Sequence, residues 1–182
     1  CRVRDLGVAP TPTVGVAVRT RGADGAVQIT ASHNPAPWNG LKMFGPDGAV
    51  LPPDDGLAVR RRFEAGDFAR VTWEDCGRPE TLYGVEETHA ELAAALADRD
   101  AVRRAGLAVL LDGNGGSGGP LGVRFLEALG CRVTRLNTDP TGAFAHEPEP
   151  IPAHLSDVAA AVKAAGVAVG CVLDPDSDRL AL

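Results

Sequence analysis

One short stretch of the chain, residues 30–42, brings together side chains that could carry out group transfer. It contains a nucleophile, Ser32, beside a titratable ring, His33, and it ends on a cation, Lys42. A serine hydroxyl becomes an effective nucleophile when a neighbouring base takes its proton. Two prolines exclude a helix and an Asn-Gly pair signals a turn. The stretch predicts a rigid loop after a strand, although an ordinary surface loop also collects these residue types.

A second polar loop lies far downstream, at residues 174–179, and reads Asp-Pro-Asp-Ser-Asp-Arg. It follows a fully apolar segment that predicts a buried strand. Aspartates at alternate positions of an extended chain place their carboxylates on one side, and such hard oxygen ligands suit Mg²⁺ or Ca²⁺. Three carboxylates this close also repel one another without a cation. The loop predicts a cation site at Asp174, Asp176 and Asp178, with a plain polar turn as the alternative.

The two loops together resemble a known pair of motifs. Thr30-Ala-Ser-His-Asn-Pro35 followed by Asn39-Gly-Leu-Lys42 resembles the phosphoserine loop of the α-D-phosphohexomutases, the superfamily of phosphomannomutase, phosphoglucomutase and phosphoglucosamine mutase. Residues 174–179 resemble the metal-binding loop of the same family. Both motifs are long and they occur in the family's order. The likeness extends over nearly the whole chain, which is less than half of a full family member.

This resemblance implies an enzyme, an isomerase that interconverts hexose 1-phosphate and hexose 6-phosphate by intramolecular phosphotransfer. Phospho-Ser32 would give its phosphoryl group to the sugar, and the bisphosphorylated intermediate would reorient before Ser32 takes back the other phosphate. A hexose 1,6-bisphosphate would act as activator and phosphoryl donor. Neither motif identifies the hexose, because the sugar-selecting loop and domains 3 and 4 of a full-length member would lie beyond this chain.

The resemblance also assigns roles to residues of both loops. Mg²⁺ would be held by Asp174, Asp176, Asp178 and a phosphate oxygen on Ser32. Lys42 would act as general acid and base on the sugar hydroxyl, assisted by His33. The pKa of Lys42 must then fall below its ordinary value near ~10.4, and we expect the neighbouring Arg179 to lower it. The residues expected to bind phosphate or substrate are Asn39, Gly40 and Arg179.

One position in the metal loop departs from the family pattern. Ser177 stands where family members commonly have Gly or Ala. We expect the loop to accept serine if its φ stays negative.

Composition and rhythm indicate an α/β protein. Of the 182 residues 45% are hydrophobic but only 4% aromatic, which suits buried Val and Leu strands beneath Ala-rich helices. From residue 107 onwards strands and helices alternate, as in a parallel α/β unit whose sites lie beyond the carboxyl ends of its strands. The resemblance implies two consecutive three-layer α/β/α domains with mixed, largely parallel sheets, each incomplete at a chain end. They are the phosphoserine-loop domain (residues 1–100) and the Mg-binding-loop domain (residues 101–182).

Local signals predict several helix boundaries. Residues 13–21 predict a helix with Thr11 as a possible cap, although alternating valines leave a strand open. Residues 54–65 predict a helix capped by Asp54 and ended by Gly66. Residues 85–98 predict one continuous helix before the domain boundary.

A glycine-rich loop at residues 112–119 is not a nucleotide-binding motif. It follows neither the dinucleotide pattern nor the P-loop pattern, which requires Gly-Lys-Ser/Thr. We interpret it as a close-packed turn between a strand and a helix, where small residues are needed.

Charge and cysteine usage exclude other partners. A formal net charge of −6 without a basic tract argues against nucleic acid. The four cysteines form no Cys-x-x-Cys pair, so we expect reduced thiols in a cytoplasmic protein. The sequence contains no long apolar run or signal peptide, which argues against a membrane, although the chain does not begin with Met.

Two other functions stay open. An apolar strand that ends in Asp-x-Asp is also the nucleophile motif of haloacid-dehalogenase-like phosphatases, which would use Asp174. The chain could also be a non-catalytic fragment that binds a sugar phosphate or a partner chain. Phosphorylation of Ser32 would separate the mutase from that fragment.

Overall fold

The structure is a computed structural model that describes residues 1–35 and 37–182. Helices and strands alternate along much of the chain, with three separate sheets among the described residues. The strands are β1 (Arg4–Asp5), β2 (Ala26–Ile29), β3 (Leu41–Phe44), β4 (Glu80–Thr81), β5 (Ala108–Asp112), β6 (Arg132–Leu136), β7 (Val169–Leu173) and β8 (Leu180–Ala181). The helices are α1 (Thr11–Arg21), α2 (Pro53–Ala65), α3 (Val85–Ala94), α4 (Arg99–Ala105), α5 (Gly119–Ala128) and α6 (Ser156–Ala165). Short 3₁₀ turns lie at Trp73–Asp75 and Pro152–His154.

The largest sheet has the order β6-β5-β7-β8 and confirms the predicted parallel α/β unit. β5 pairs in parallel with β6 and β7, and β8 closes the edge in antiparallel orientation. Successive residues of β5 face opposite sides of the sheet. Val109 packs with Leu129 under α5, whereas Leu110 packs with Val158 under α6. Helices therefore cover both faces, which gives the expected three layers.

The first part of the chain is built on α1 and the antiparallel pair of β2 and β3. Val14 and Val18 of α1 pack with Phe44 of β3 in a small buried cluster. The helix predicted after residue 12 is therefore present, and the strand alternative is wrong. It begins two residues earlier than expected, at Thr11, with Pro10 as its N-cap. Thr11 is the first helical residue and does not cap the helix, and its side chain donates a hydrogen bond to Asp176.

The predicted continuous helix over residues 85–98 is wrong over its last four residues. α3 ends at Ala94, and Asp98 instead caps the separate helix α4, where its carboxylate accepts a hydrogen bond of 2.9 Å from the amide of Ala101. Aspartate favours this cap position because its oxygen satisfies an otherwise unpaired helical N–H group. Ala94 and Val102 both pack into the cluster under α5. Both helices therefore pack against the core of the four-stranded sheet.

α2 also begins differently from the prediction. Pro52 is its N-cap and Pro53 its first helical residue, so Asp54 lies in the first turn and does not cap the helix. Gly66 ends the helix in the left-handed conformation, as expected. Within the described residues, no helix combines the length and the apolar character that crossing a bilayer requires.

Candidate active site

The two polar loops singled out in the sequence meet across the two sheets. Lys42 lies on β3, next to the strand that leads into Ser32, and its ammonium group reaches the downstream acidic loop. Lys42 Nζ donates hydrogen bonds to Asp176 Oδ2 at 2.7 Å and to Asp178 Oδ2 at 2.6 Å. More than 130 residues separate these partners in the chain. The contact brings the serine loop and the acidic loop into one site.

The three aspartates form a compact cluster of oxygen ligands. Asp174, Asp176 and Asp178 each offer a carboxylate oxygen, and these oxygens all lie within 4.8 Å of one another. Asp174 is fully buried and Asp176 is 3% exposed. Asp174 Oδ2 and Asp176 Oδ1 are buried without a hydrogen-bond partner among the described residues. A buried carboxylate oxygen without a partner is costly, so the cluster fits a hard cation such as Mg²⁺.

The electrostatics of the cluster agree with that fit. Burial raises the pKa of Asp174 to about 6, and the neighbouring charges of Asp176 and Asp178 act in the same direction. Burial also acts to raise the pKa of Asp176, but hydrogen bonds from Lys42 and Thr11 outweigh it and lower that pKa. Lys42 and Thr11 thus favour the ionised form of Asp176, whereas burial and neighbouring negative charge disfavour the ionised form of Asp174, a cost that a bound cation would relieve.

The expectation that the pKa of Lys42 falls is wrong. Partial burial acts to lower it, but hydrogen bonds and charge from Asp176 and Asp178 outweigh burial and raise it. Arg179 does not reverse this effect. Lys42 is therefore an ammonium group, the proton-donating form of a general acid.

The serine loop is held in an unusual backbone conformation. Ser32 has a φ of 53°, in the left-handed region that non-glycine residues seldom adopt. Its amide donates a hydrogen bond of 2.8 Å to Thr30 Oγ1, and the amide of Thr30 donates to the carbonyl of Gly40 at 3.0 Å. His33 Nδ1 lies 3.3 Å from Ser32 Oγ. The loop therefore fixes the nucleophile beside the imidazole.

The other expected binding residues lie around these groups. Asn39 Oδ1 accepts a hydrogen bond of 2.8 Å from the amide of the next residue, Gly40. The amide of Arg179 donates to Asp174 Oδ1 at 3.1 Å, and Arg179 Nε lies 4.0 Å from Asp178 Oδ1. The Arg179 side chain is 44% exposed, so its guanidinium is accessible at the edge of the cluster.

The glycine-rich loop packs against the acidic loop. Its predicted role as a close-packed turn is confirmed. Ser117 N donates a hydrogen bond of 2.8 Å to the carbonyl of Pro175. A Cβ atom on Gly116 would lie 2.4 Å from that same carbonyl oxygen, so no larger residue fits. Ser177 has a φ of 60°, so the condition under which we expected the loop to accept serine, a negative φ, is not met. This conformation favours glycine.

Sequence reasoning missed Thr11, which contacts the acidic loop directly. Its hydroxyl donates a hydrogen bond of 2.7 Å to Asp176 Oδ2, and its amide donates one of 2.8 Å to the backbone oxygen of Asp176. The residues around Thr11 in sequence indicated only the start of a helix and not a contact with the acidic loop.

Sequence reasoning also missed a buried network beneath the loop at residues 137–152. Asp112 Oδ2 lies 2.9 Å from His146 Nε2, and Asn114 Oδ1 accepts from the amides of Ala145 and His146 at 2.8 and 3.1 Å. Asp112 and Asn114 are both fully buried. The only feature of the sequence that could have indicated this network was the position of Asp112 at the end of β5. No sequence pattern indicated that His146 would contact it.

Comparison with known protein families agrees with the geometry. Residues 1–70 match the family described as phosphoglucomutase/phosphomannomutase, alpha/beta/alpha domain I, and residues 87–182 match alpha/beta/alpha domain II. The chain belongs to the phosphoglucomutase/phosphomannomutase family. The two family segments follow one another in the order that the serine loop and the acidic loop predict. The boundary assigned near residue 100 lies inside the second segment.

Curated relatives in this family include proteins from several archaea. A protein named "Probable phosphoglucosamine mutase" from Methanothermobacter thermautotrophicus is 35% identical over 181 residues, which is 99% of this chain and 39% of that protein. A "Phosphoglucomutase/phosphomannomutase" from Thermococcus kodakarensis is 35% identical over 98% of this chain and 39% of its own length. The chain thus spans about two fifths of the relatives it matches.

Solved structures share the fold over the same extent. A phosphoglucomutase/phosphomannomutase family protein from Burkholderia thailandensis superimposes with a TM-score of 0.76 and 31% identity, over 98% of this chain and 39% of that one. A structure from Thermus thermophilus superimposes with a TM-score of 0.83 and 29% identity, over 98% and 41%. The α/β/α architecture of this family is therefore the architecture of the chain.

Proposed function

We propose that this chain carries the phosphoryl-transfer half of a phosphohexomutase site, which interconverts hexose 1-phosphate and hexose 6-phosphate through phospho-Ser32. The observation that carries the proposal is the contact of Lys42 with Asp176 and Asp178. It brings the serine loop beside two buried carboxylate oxygens that have no hydrogen-bond partner in the described part of the chain. Membership of the phosphoglucomutase/phosphomannomutase family supports the same reaction class.

Asp174, Asp176 and Asp178 would hold Mg²⁺ together with a phosphate oxygen on Ser32. The unpartnered oxygens of the cluster support this ligand set. When bound, the ion supplies positive charge close to the transferring phosphoryl group. The accessible guanidinium of Arg179 suits bidentate binding of phosphate, and Asn39 and Gly40 would contribute contacts from the serine loop.

Ser32, His33 and Lys42 carry the proton transfers in this proposal. When Ser32 accepts a phosphoryl group, the bond between Ser32 Oγ and phosphorus forms as the bond between phosphorus and the sugar oxygen breaks. The hydroxyl proton of Ser32 passes to His33 Nδ1, and the departing sugar oxygen takes a proton from the Lys42 ammonium group. The reverse transfer returns both protons. The acidic form of Lys42 suits the first direction.

The donor in this proposal is a hexose 1,6-bisphosphate. Residues 1–100 contribute the phosphoserine loop and residues 101–182 contribute the Mg-binding loop. The substrate is a hexose phosphate, and the complete sugar site would include domains 3 and 4 of a full-length family member.

The phosphatase alternative has less support. Asp174 is fully buried, and its Oδ1 already accepts a hydrogen bond from the amide of Arg179. A nucleophilic carboxylate needs an oxygen within reach of substrate. Family membership also favours the mutase. The non-catalytic fragment remains as one outcome of the test.

The proposal is tested by following conversion of glucose 1-phosphate to glucose 6-phosphate by the longest natural form of the polypeptide. Mg²⁺ and catalytic glucose 1,6-bisphosphate are supplied. We expect turnover that Ser32→Ala abolishes and that the exposed control Ser156→Ala leaves unchanged. Repeating the assay with mannose and glucosamine 1-phosphates identifies the hexose. Absence of turnover on all three substrates by a folded protein would refute the proposal in favour of a non-catalytic module.

A further inference from the structure

The imidazole of His33 lies between two groups that belong to different parts of the chain. Its Nδ1 atom is 3.3 Å from Ser32 Oγ, and its Nε2 atom is 4.0 Å from Glu149 Oε1. Glu149 lies in the loop that joins β6 to α6, far from the serine loop in sequence. The side chains of His33 and Glu149 are 29% and 42% exposed. The imidazole thus has a hydroxyl near one ring nitrogen and a carboxylate near the other.

We propose that Glu149 is a positioning residue, which accepts a hydrogen bond from His33 Nε2 and so directs Nδ1 at the Ser32 hydroxyl. The inference rests on the proposed function and names a residue of that site which neither polar loop contains. A base that is itself oriented by a third group is a recurring arrangement for activating a hydroxyl nucleophile.

The backbone of Glu149 is fixed well enough for this role. Its carbonyl oxygen accepts hydrogen bonds from His154 Nδ1 at 2.8 Å and from the amide of Ile151 at 2.9 Å. Pro148, which precedes it, is buried. A proline restricts both its own backbone and that of the residue before it. The two prolines flanking Glu149 therefore limit where its carboxylate reaches.

The loop that carries Glu149 is also anchored at its other end. Asn114 accepts from the amides of Ala145 and His146 and donates to the carbonyl of His146 at 3.2 Å. His146 Nε2 contacts the fully buried Asp112. This network, which has no part in the proton transfers, gives the segment before Glu149 a fixed path. The loop is thereby attached to the end of β5, beside the acidic loop.

The distance between His33 and Glu149 is short enough for a side-chain rotation to complete the contact. A separation of 4.0 Å is about 1 Å longer than an N–H···O hydrogen bond, and rotation of the half-exposed Glu149 side chain closes it. With Nε2 donating to the carboxylate, the lone pair on Nδ1 faces the Ser32 hydroxyl. When His33 takes the proton of Ser32, the carboxylate of Glu149 stabilises the resulting imidazolium.

The chain supplies a matched control for this role. Glu147 lies two residues before Glu149 in the same Glu-Pro-Glu-Pro segment, is exposed, and contributes its backbone carbonyl to the contact with His146. Glu147→Gln and Glu149→Gln remove the same charge from the same loop. An effect of net charge would appear in both variants, whereas an effect of the contact with His33 appears only in the second.

The test measures transfer from glucose 1,6-bisphosphate to Ser32 by rapid quench and intact mass, in the longest natural form of the polypeptide. We expect Glu149→Gln to slow the transfer step by about 10- to 100-fold, less than the ~10²–10⁴-fold of a general base itself because Glu149 acts through His33, with little change in the donor concentration at half-saturation. Glu147→Gln should stay within about twofold of the wild type. Thermal melts establish that both variants are folded.

A second readout reports the contact without catalysis. Proton NMR of ¹⁵N-histidine-labelled protein should show a downfield Nε2–H resonance of His33 that Glu149→Gln shifts or removes and Glu147→Gln leaves unchanged. Wild-type transfer in Glu149→Gln, equal loss in both variants, or an unmoved resonance would each overturn the inference. If wild-type Ser32 takes no phosphate, the proposed function fails, and the resonance alone then decides whether Glu149 holds His33.

Discussion

Thr11 holds Asp176 at two points. Its hydroxyl donates to Asp176 Oδ2 at 2.7 Å and its amide donates to the backbone oxygen of Asp176 at 2.8 Å. Both residues are buried, with 5% and 3% exposure. Thr11 is the first residue of α1, so the positive end of that helix also faces the acidic loop. The first part of the chain thus positions a carboxylate that belongs to the second.

Thr11→Val should therefore weaken Mg²⁺ binding although the three clustered aspartates are unchanged. The substitution keeps the branched shape and the backbone contact but removes the hydroxyl that orients Asp176. Loss of a group that orients a metal ligand typically costs about 10- to 100-fold in affinity, and we expect about tenfold, measured by titration calorimetry with Mg²⁺ and Mn²⁺.

Thr20→Val is the control for this experiment. Thr20 lies on the same helix, and its hydroxyl donates to the carbonyl of Val16 at an exposed position. It should bind Mg²⁺ as the wild type does. Equal affinity in Thr11→Val and the wild type would show that the hydroxyl does not orient the ligand.

Mg²⁺ should stabilise the folded chain through the acidic cluster. A ligand present at one hundred times its Kd adds about 2.7 kcal/mol, which raises Tm by about 5–10 °C for a chain of this length. Asp174→Asn should abolish the rise, because it removes one of the buried charges that attract the ion. Differential scanning calorimetry with Mg²⁺ and with EDTA measures the effect. Asp157→Asn, at the exposed start of α6, should retain the full rise, and a rise in Asp174→Asn would place the ion elsewhere.

The parts of the fold that could be predicted were those with a local cause. The apolar runs at β5 and β7 and the glycine that ends α2 were correctly predicted, because each signal acts within a few residues. The division between α3 and α4 was missed because Ala-rich periodicity continues across it, and the break depends on Ala94 and Val102 both packing into one core cluster.

The residues of the site likewise fall into those that a local sequence pattern marks and those that it does not. Ser32 and the three aspartates stand in recognisable local patterns, so they could be named from sequence. Thr11, Glu149 and His146 act through partners more than 30 residues away, and no local pattern marks them. The pKa of Lys42 was misjudged because the sequence analysis assigned Asp176 and Asp178 to a cation, whereas in the structure both carboxylates bind the ammonium group of Lys42.

Ser177→Gly should stabilise the protein. Ser177 has a φ of 60°, where a residue with a Cβ atom is disfavoured by roughly 1–2 kcal/mol, and the greater freedom of glycine in the unfolded chain offsets about half of that gain. We expect the free energy of unfolding to rise by about 0.5–1 kcal/mol in urea denaturation. Ser156→Gly, at the start of α6, should instead lower it. A loss of stability in Ser177→Gly would mean that the hydroxyl contributes more than the backbone costs.

Leu110→Ala should strongly destabilise the four-stranded sheet. Leu110 is 2% exposed at the centre of the sheet, where it packs with Val158 and Val172. Removing a buried leucine side chain costs about 2–5 kcal/mol, which urea denaturation measures as a lower midpoint at unchanged slope. Leu96→Ala, at a position that is 91% exposed, should change stability by less than about 0.5 kcal/mol. Similar losses in the two variants would contradict the assignment of the core.

Ser32 and the acidic cluster should act as one phosphoryl-transfer site. Intact mass and peptide mapping after incubation with glucose 1,6-bisphosphate, with Mg²⁺ or with EDTA, test this directly. We expect one phosphate on Ser32 that requires Mg²⁺ and is absent from Ser32→Ala and from Asp176→Ala, although each variant remains folded. Phosphate on another residue, or on Ser32 at the same rate in EDTA, would contradict it.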